Sequence, residues 1–212
     1  MSEFEYRGIY KKYNMSGEIS IGTGKVKVHN IFNPMPGFMR DADVVFCDTP
    51  GNGGALKSYY AKAKISYEGV TYDAFADRLI RVIEEIDPRL VFLEVFKGNR
   101  KRFEDALRDR YRNVKVLDST YYNKPQNKCW IIMASNEDLP SVDFSGQDEE
   151  KIIERICNEI DFRCIADPCM GKGLVGYYAD KAGKRFVGTE LNYKRLAVLL
   201  ERINTQSRGS IN

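Results

Sequence analysis

Two periodicities take turns along this chain. Lys25 to Phe32 (KVKVHNIF) alternates and carries β-branched residues, which predicts a strand. Asn33-Pro34-Met35-Pro36-Gly37 breaks it. Asp43 to Cys47 (DVVFC) is a short apolar run suited to a buried parallel strand, and Asp48-Thr49-Pro50-Gly51-Asn52-Gly53-Gly54 turns the chain after it. Tyr72 to Ile86 places Phe75, Leu79, Val82, Ile83 and Ile86 at helical spacing, and Asp87-Pro88 stops it. Leu90 to Phe96 reads as the next buried strand, and Arg100 to Arg112 as a helix with Phe103, Leu107 and Tyr111 on one face. Val114 to Leu117 and Cys129 to Ala134 read as an antiparallel pair joined through Tyr121 to Asn127.

A polar linker, roughly Ser135 to Gln147, precedes a helix opening at Asp148 or Glu149 and running to about Ile160. Then come a strand (Arg163 to Ala166), a helix (Gly173 to Ala182), a strand (Arg185 to Val187) and a helix (Tyr193 to Ile203). The segment to about Gly24 is polar and takes no assignment. The alternation predicts an α/β fold: a mostly parallel sheet with one antiparallel strand and helices on both faces.

Length and composition narrow the reading. The 212 residues suit one domain with a real core. No apolar run reaches membrane-spanning length, and Met1 to Asn14 lacks the apolar stretch of a secretory signal. The five cysteines show no CxxC spacing, so they read as reduced thiols of a cytoplasmic protein. His29 is the only histidine, which leaves no zinc cluster and no metal site expected; it reads as structural. The net charge of +3 permits nucleic acid without arguing for it. Basic residues gather between Lys97 and Lys115, either as a solvated helix face or as a phosphate-contacting patch.

The strongest chemical signal is Asp167-Pro168-Cys169-Met170-Gly171-Lys172-Gly173, lying between a predicted strand and a predicted helix. Glycines there let the chain turn sharply and a ligand approach the backbone, at the strand end where open α/β sheets bind ligands. Gly188-Thr189-Glu190-Leu191-Asn192 ends the next strand, where a carboxylate can accept hydrogen bonds from ribose hydroxyls. Gly171, Gly173 and Gly176 also spell the dinucleotide fingerprint GxGxxG. Against that reading, Asp-Pro-Cys-Met separates the strand from the first glycine, and little chain follows the last helix to build a second half-site. No GxxxxGK[ST] phosphate loop occurs.

This order resembles the circularly permuted, beta-group amino-methyltransferases, which modify adenine N6 or cytosine N4. In that family a [DNS]PP[YFW] catalytic motif comes first and a DPFxGxG-type cofactor motif last. The resemblance covers roughly Lys25 to Ile203 and implies a Rossmann-like methyltransferase sheet in permuted strand order. It implies one domain over 1–212, with a catalytic half at about 25–135, a cofactor half at about 145–205 and no separate target-recognition domain. It further implies S-adenosylmethionine as cofactor, held by Asp167, Pro168, Cys169, Gly171, Gly173, Glu190 and Asn192. Asp48-Thr49-Pro50 would form the catalytic turn: the Asp48 carboxylate and a carbonyl at Thr49 or Pro50 would accept hydrogen bonds from an exocyclic amine and expose its lone pair.

Gly51 stands where the family has an aromatic ring that stacks on the flipped base. Tyr59 or Tyr60 from the glycine-rich stretch, or Tyr121 or Tyr122, would replace it. The stretch Gly51 to Tyr72, with interleaved lysines and tyrosines, reads as a lid over nucleic acid or as a plain surface loop. Ser145-Gly146-Gln147 is a candidate contact for the methionine end of the cofactor. The expected partner is nucleic acid, DNA ahead of RNA, with a protein partner supplying specificity if the domain has none. Two alternatives remain open: an RNA or small-molecule methyltransferase, and a catalytically degenerate cofactor-binding module that regulates a partner.

Overall fold

The computed structural model describes residues 8–209. The first part of the N-terminal segment, residues 1–7, lies outside them, as do residues 210–212. Nine strands form one sheet: β1 (Glu18–Ile21), β2 (Gly24–Val28), β3 (Val44–Asp48), β4 (Leu90–Val95), β5 (Asn113–Tyr121), β6 (Lys124–Ser135), β7 (Gln147–Asp148), β8 (Cys164–Asp167) and β9 (Arg185–Glu190). Their spatial order is β1-β2-β9-β8-β3-β4-β6-β5-β7. Strands β2, β9, β8, β3 and β4 are mutually parallel, and β6 runs against them. β1 pairs antiparallel with β2 at the edge. The sequence pattern anticipates β6 but not β1, whose EISI segment is four residues long and open to solvent at alternate positions.

Six helices cover the two faces: α1 (Gly53–Ala63), α2 (Tyr72–Ile86), α3 (Arg100–Arg108), α4 (Glu149–Glu159), α5 (Leu174–Lys181) and α6 (Tyr193–Gly209). One core packs Val44, Phe46, Phe92 and Ile131 against Ile152 and Ile156 of α4, Val175 of α5 and Leu196 of α6. The other packs Val45, Cys47, Val91 and Leu93 against Leu56 of α1, Leu79 and Ile83 of α2 and Phe103 of α3. The period-two alternation of β3 and β4 therefore feeds both faces, as a buried parallel strand must. No helix among the described residues is long and apolar enough to cross a membrane.

Two local features position the site. The glycine-rich stretch after β3 is helix α1 rather than a loop, because the Asn52 side chain caps it by accepting a hydrogen bond from Ala55 N–H (2.9 Å). Gly53 and Gly54 carry little helical propensity, which hides the start in the sequence. The connection between β5 and β6 is a two-residue turn, Tyr122-Asn123, with φ of 60° and 51°. Both residues sit in the left-handed region that such hairpins require, which glycine or asparagine fills more readily than tyrosine.

Candidate functional site

β8 and β3 are paired only at Val44–Ile165 and Val45–Ala166, so their carboxyl ends, Asp48 and Asp167, part. From β8 the chain crosses to β9 on one side; from β3 it crosses to β4 on the other. This is a topological switch point, where an open parallel sheet leaves a crevice. A cavity of about 400 Å³ occupies it, within the range of small-ligand sites.

The end of β8 forms one wall. Asp167, 3% exposed, accepts a hydrogen bond from Cys169 N–H (3.0 Å), and burial pushes its carboxyl well above the usual range. Pro168, Cys169, Met170 and Gly171 continue the wall. Gly171 has φ of 56°. Glu190, at the end of β9, is 7% exposed and accepts from Asn192 N–H (2.8 Å). Burial raises its carboxyl, while Arg195 and the backbone N–H groups of Gly171, Leu191 and Asn192 draw it back down.

Two members of the expected cofactor set stand behind the wall. Gly173, φ 72°, packs against α6: a Cβ there would lie 2.6 Å from the Leu199 side chain. Asn192 caps the start of α6, its side-chain oxygen accepting from Lys194 N–H (3.0 Å) and its amide donating to the Lys62 carbonyl (3.3 Å). Both shape the site through packing and do not line the cavity.

Asp48 faces them from the tip of β3, its carboxyl open to the cavity. The surrounding protein displaces enough water to lift it to about 6, against the pull of Arg195. The turn after it is held by a residue the sequence reading passed over, Asn99. Its amide donates to Thr49 Oγ1 (3.1 Å), the Pro50 carbonyl (3.2 Å) and the Tyr72 hydroxyl (2.6 Å), and its Oδ1 accepts from Phe96 N–H (2.7 Å). The Tyr72 hydroxyl also donates to the Pro50 carbonyl (2.8 Å). The Pro50 carbonyl, at the cavity wall, is thus engaged by Tyr72 and shares the Asn99 amide, while Thr49 stands behind the wall and does not line the cavity. Thr49 itself is buried, its hydroxyl donating to the Glu94 carbonyl (2.9 Å). An asparagine just after a buried strand, in Phe96-Lys97-Gly98-Asn99, was the available signal.

The tyrosines separate cleanly. Tyr59 lines the cavity with its ring 5.0 Å from the Arg195 guanidinium. Tyr60 is 2% exposed, fixed by a hydrogen bond to Asn30 (3.0 Å) and by an edge contact with Tyr67, so it forms wall and cannot swing. Tyr122 is 64% exposed and lines the cavity mouth, with Tyr121 and then Phe96 stacked edge-on behind it. Phe96 abuts Gly51, where a Cβ would come within 3.3 Å of its ring. An aromatic train thus stands beside the glycine. Asp148 clamps Tyr122 in place by accepting from Asn123 N–H (2.7 Å) and Thr120 Oγ1 (3.1 Å) while capping α4.

Three further expectations meet the structure here. Ser145, Gly146 and Gln147 stay off the cavity; Glu149 and Glu150 line it instead. The basic stretch is largely answered by acids: Arg100 and Arg108 pair with Glu104, Lys101 with Asp105, Arg102 with Asp73 and Asp77, and Arg110 with Glu84. That pattern is a solvated helix face. His29 lines the cavity, with burial lowering its basicity. No metal-holding group of His, Cys, Asp and Glu occurs among the described residues.

No family model matches the chain, and no curated protein matches its sequence. Solved structures do match. M1.HpyAVI in complex with SAM is 13% identical with a TM-score of 0.59, over 84% of this chain and 98% of its own. TTHA0409 from Thermus thermophilus, a putative DNA modification methylase complexed with S-adenosyl-L-methionine, is 16% identical with a TM-score of 0.57, over 81% and 92%. The cytosine-N4-specific PvuII DNA methyltransferase is 10% identical with a TM-score of 0.53, over 88% and 93%. This chain has their fold.

Proposed function

We propose that the chain binds S-adenosylmethionine at this cavity and methylates an exocyclic amine of a nucleic-acid base, with adenine N6 or cytosine N4 of DNA as the target. The observation that carries the reading is the surplus of carboxyl groups in the wall, although burial keeps some of them protonated. Six carboxyl side chains (Asp48, Glu94, Glu149, Glu150, Asp167, Glu190) line it against three basic ones (Lys172, Arg195, Arg202). Such a wall suits a ligand carrying a sulfonium and an ammonium, and repels the pyrophosphate of a dinucleotide. Glu190, buried and held by a backbone fan of N–H groups, is the partner for ribose hydroxyls. Gly171 leaves the backbone bare for close approach, and Cys169 and Leu191 offer apolar contact.

When bound, S-adenosylmethionine supplies an electrophilic methyl group. The protein's own work is positioning. Asp48 and a backbone carbonyl of the Thr49-Pro50 turn accept the two amine protons, which turns the nitrogen lone pair out of the ring plane. Asn99 and Tyr72 fix that turn. Tyr122, and Tyr59 across the mouth, supply the stacking faces that Gly51 lacks. The strand order is taken as the family's permuted one: β8 and β9, last in sequence, sit at the centre of the sheet between β2 and β3. The 212 residues are likewise taken as one domain.

The test is transfer of a labelled methyl group to unmethylated DNA, to RNA and to free nucleosides, followed by nucleoside mass spectrometry. N6-methyladenine or N4-methylcytosine in DNA supports the proposal. Label in RNA or nucleosides alone moves the substrate. Tight cofactor binding with no label anywhere favours the degenerate module, for which Gly51 is the argument.

A further inference from the structure

One corner of the cavity holds more carboxyl groups than the proposed chemistry uses. Glu94 on β4 is the Cα partner of Asp48 across the parallel ladder, so both side chains leave the same face of the sheet. Glu94 lines the cavity yet is 1% exposed, and its Oε2 has no hydrogen-bond partner among the described residues. Facing it is Glu149, in the first turn of α4. Burial and the Asp48 charge raise both carboxyls, Glu149 to about 8, so the pair holds a proton at neutral pH.

The neighbouring charges reinforce this. Asp48 from β3, Asp148 from the end of β7 and Glu150 from α4 all raise Glu149, after burial itself; Asp48 raises Glu94 in the same way. The Cys129 thiol of β6 also faces Glu94, and Tyr122 borders the corner from the hairpin. Arg195 of α6 acts on Asp48 and Glu190. A buried carboxyl pair of this kind destabilises the empty site, and a cation entering the corner would relieve it.

We propose that Glu94 and Glu149 form a cation-receiving subsite, which takes the ammonium group of a ligand's aminoacyl arm and gives up its shared proton when that group enters. The inference rests on the cofactor reading above. Geometry directs the arm there: β9 and β4 are three strand spacings apart, roughly 14 Å, a span shared between the Glu190 and Glu94 side chains and an arm extending from the ribose past Asp167. No covalent bond changes. The proton leaves to the buffer, and two carboxylates remain around one –NH₃⁺.

The test is calorimetry of the full chain at pH 7 in two buffers of different ionisation enthalpy. The ligands are S-adenosylmethionine, S-adenosylhomocysteine (ammonium, no sulfonium) and methylthioadenosine (neither). The first two should each release between about half and one proton, and methylthioadenosine none. Glu149→Gln should abolish the release and weaken S-adenosylhomocysteine at least tenfold, with methylthioadenosine within twofold of its wild-type affinity. Glu94→Gln, at the buried position, should act in the same direction if its melting curve shows it folded. Binding of S-adenosylhomocysteine without proton release, unchanged in Glu149→Gln, overturns the subsite while leaving the cofactor reading intact. Release with S-adenosylmethionine alone assigns the corner to the sulfonium and overturns the ammonium assignment. Failure of all three ligands to bind overturns the cofactor reading, and the subsite falls with it.

Discussion

Replacing Asn99 with alanine should disable the turn that carries Asp48 without touching the cavity. Asn99 is 2% exposed and serves four partners. Its two amide protons are divided among Thr49 Oγ1, the Pro50 carbonyl and the Tyr72 hydroxyl, so the truncation loses two donated bonds and one accepted bond. Phe96 N–H, 2.7 Å from Oδ1, would lose its acceptor and be left partly buried. A buried group left unpaired costs about 1–3 kcal/mol, and each ordinary hydrogen bond contributes roughly 1 kcal/mol net. Because Tyr72 can still donate to Pro50, the sum should be about 2–4 kcal/mol. The assay is urea unfolding, reading a lower midpoint at unchanged slope. Turnover should fall more than stability accounts for under conditions where the variant is fully folded, because a shift of about 1 Å at a reacting group costs on the order of 10²-fold. Asn99→Asp keeps the acceptor for Phe96 but places a carboxylate against the Pro50 carbonyl, so it should lose turnover as severely. A destabilisation under about 0.5 kcal/mol with unchanged turnover would refute the assignment of Asn99 as the positioning residue.

Tyr122→Gly should separate function from stability. Glycine relieves the left-handed backbone at φ 60°, worth roughly 1 kcal/mol of stabilisation. The same change removes a stacking face and should raise KM for nucleic acid by roughly 5- to 100-fold; a melting temperature that falls, or an unchanged KM, contradicts this. Burial lifts Asp48 to about 6, so its acceptor form fills as pH rises through that value. Turnover should rise about tenfold per pH unit below 6 and level off above, and Asp48→Asn should lose that limb along with most activity. Gly173→Ala combines a φ of 72° with a Cβ 2.6 Å from Leu199, and should destabilise by about 2–4 kcal/mol in urea unfolding.

The parallel core was legible because buried strands and amphipathic helices write different periods. Tyr72–Ile86 carries its apolar face and its stop in the sequence, and the helix has those bounds. Both glycine and acid signals at β8 and β9 converge on one cavity because consecutive parallel strands end on the same side. What stayed hidden was non-local. α1 begins on two glycines and depends on Asn52 for its cap. The Tyr122-Asn123 turn defies local preference and is tied by Asp148, twenty-five residues on in the case of the Asn123 N–H bond. Asn99 reaches back fifty residues to Thr49, a link no local pattern records. The Glu94–Glu149 contact depends on α4 docking over β4, and nothing in either segment announces it.

The most direct measurement is equilibrium binding of S-adenosylhomocysteine to the full chain and to Glu190→Gln, with NADH as the competing nucleotide. The wild type should show saturable one-site binding, the variant a loss of about 10- to 100-fold from weakened ribose contacts, and NADH should displace nothing. Equal affinity in both proteins, or displacement by NADH, would contradict the cofactor reading.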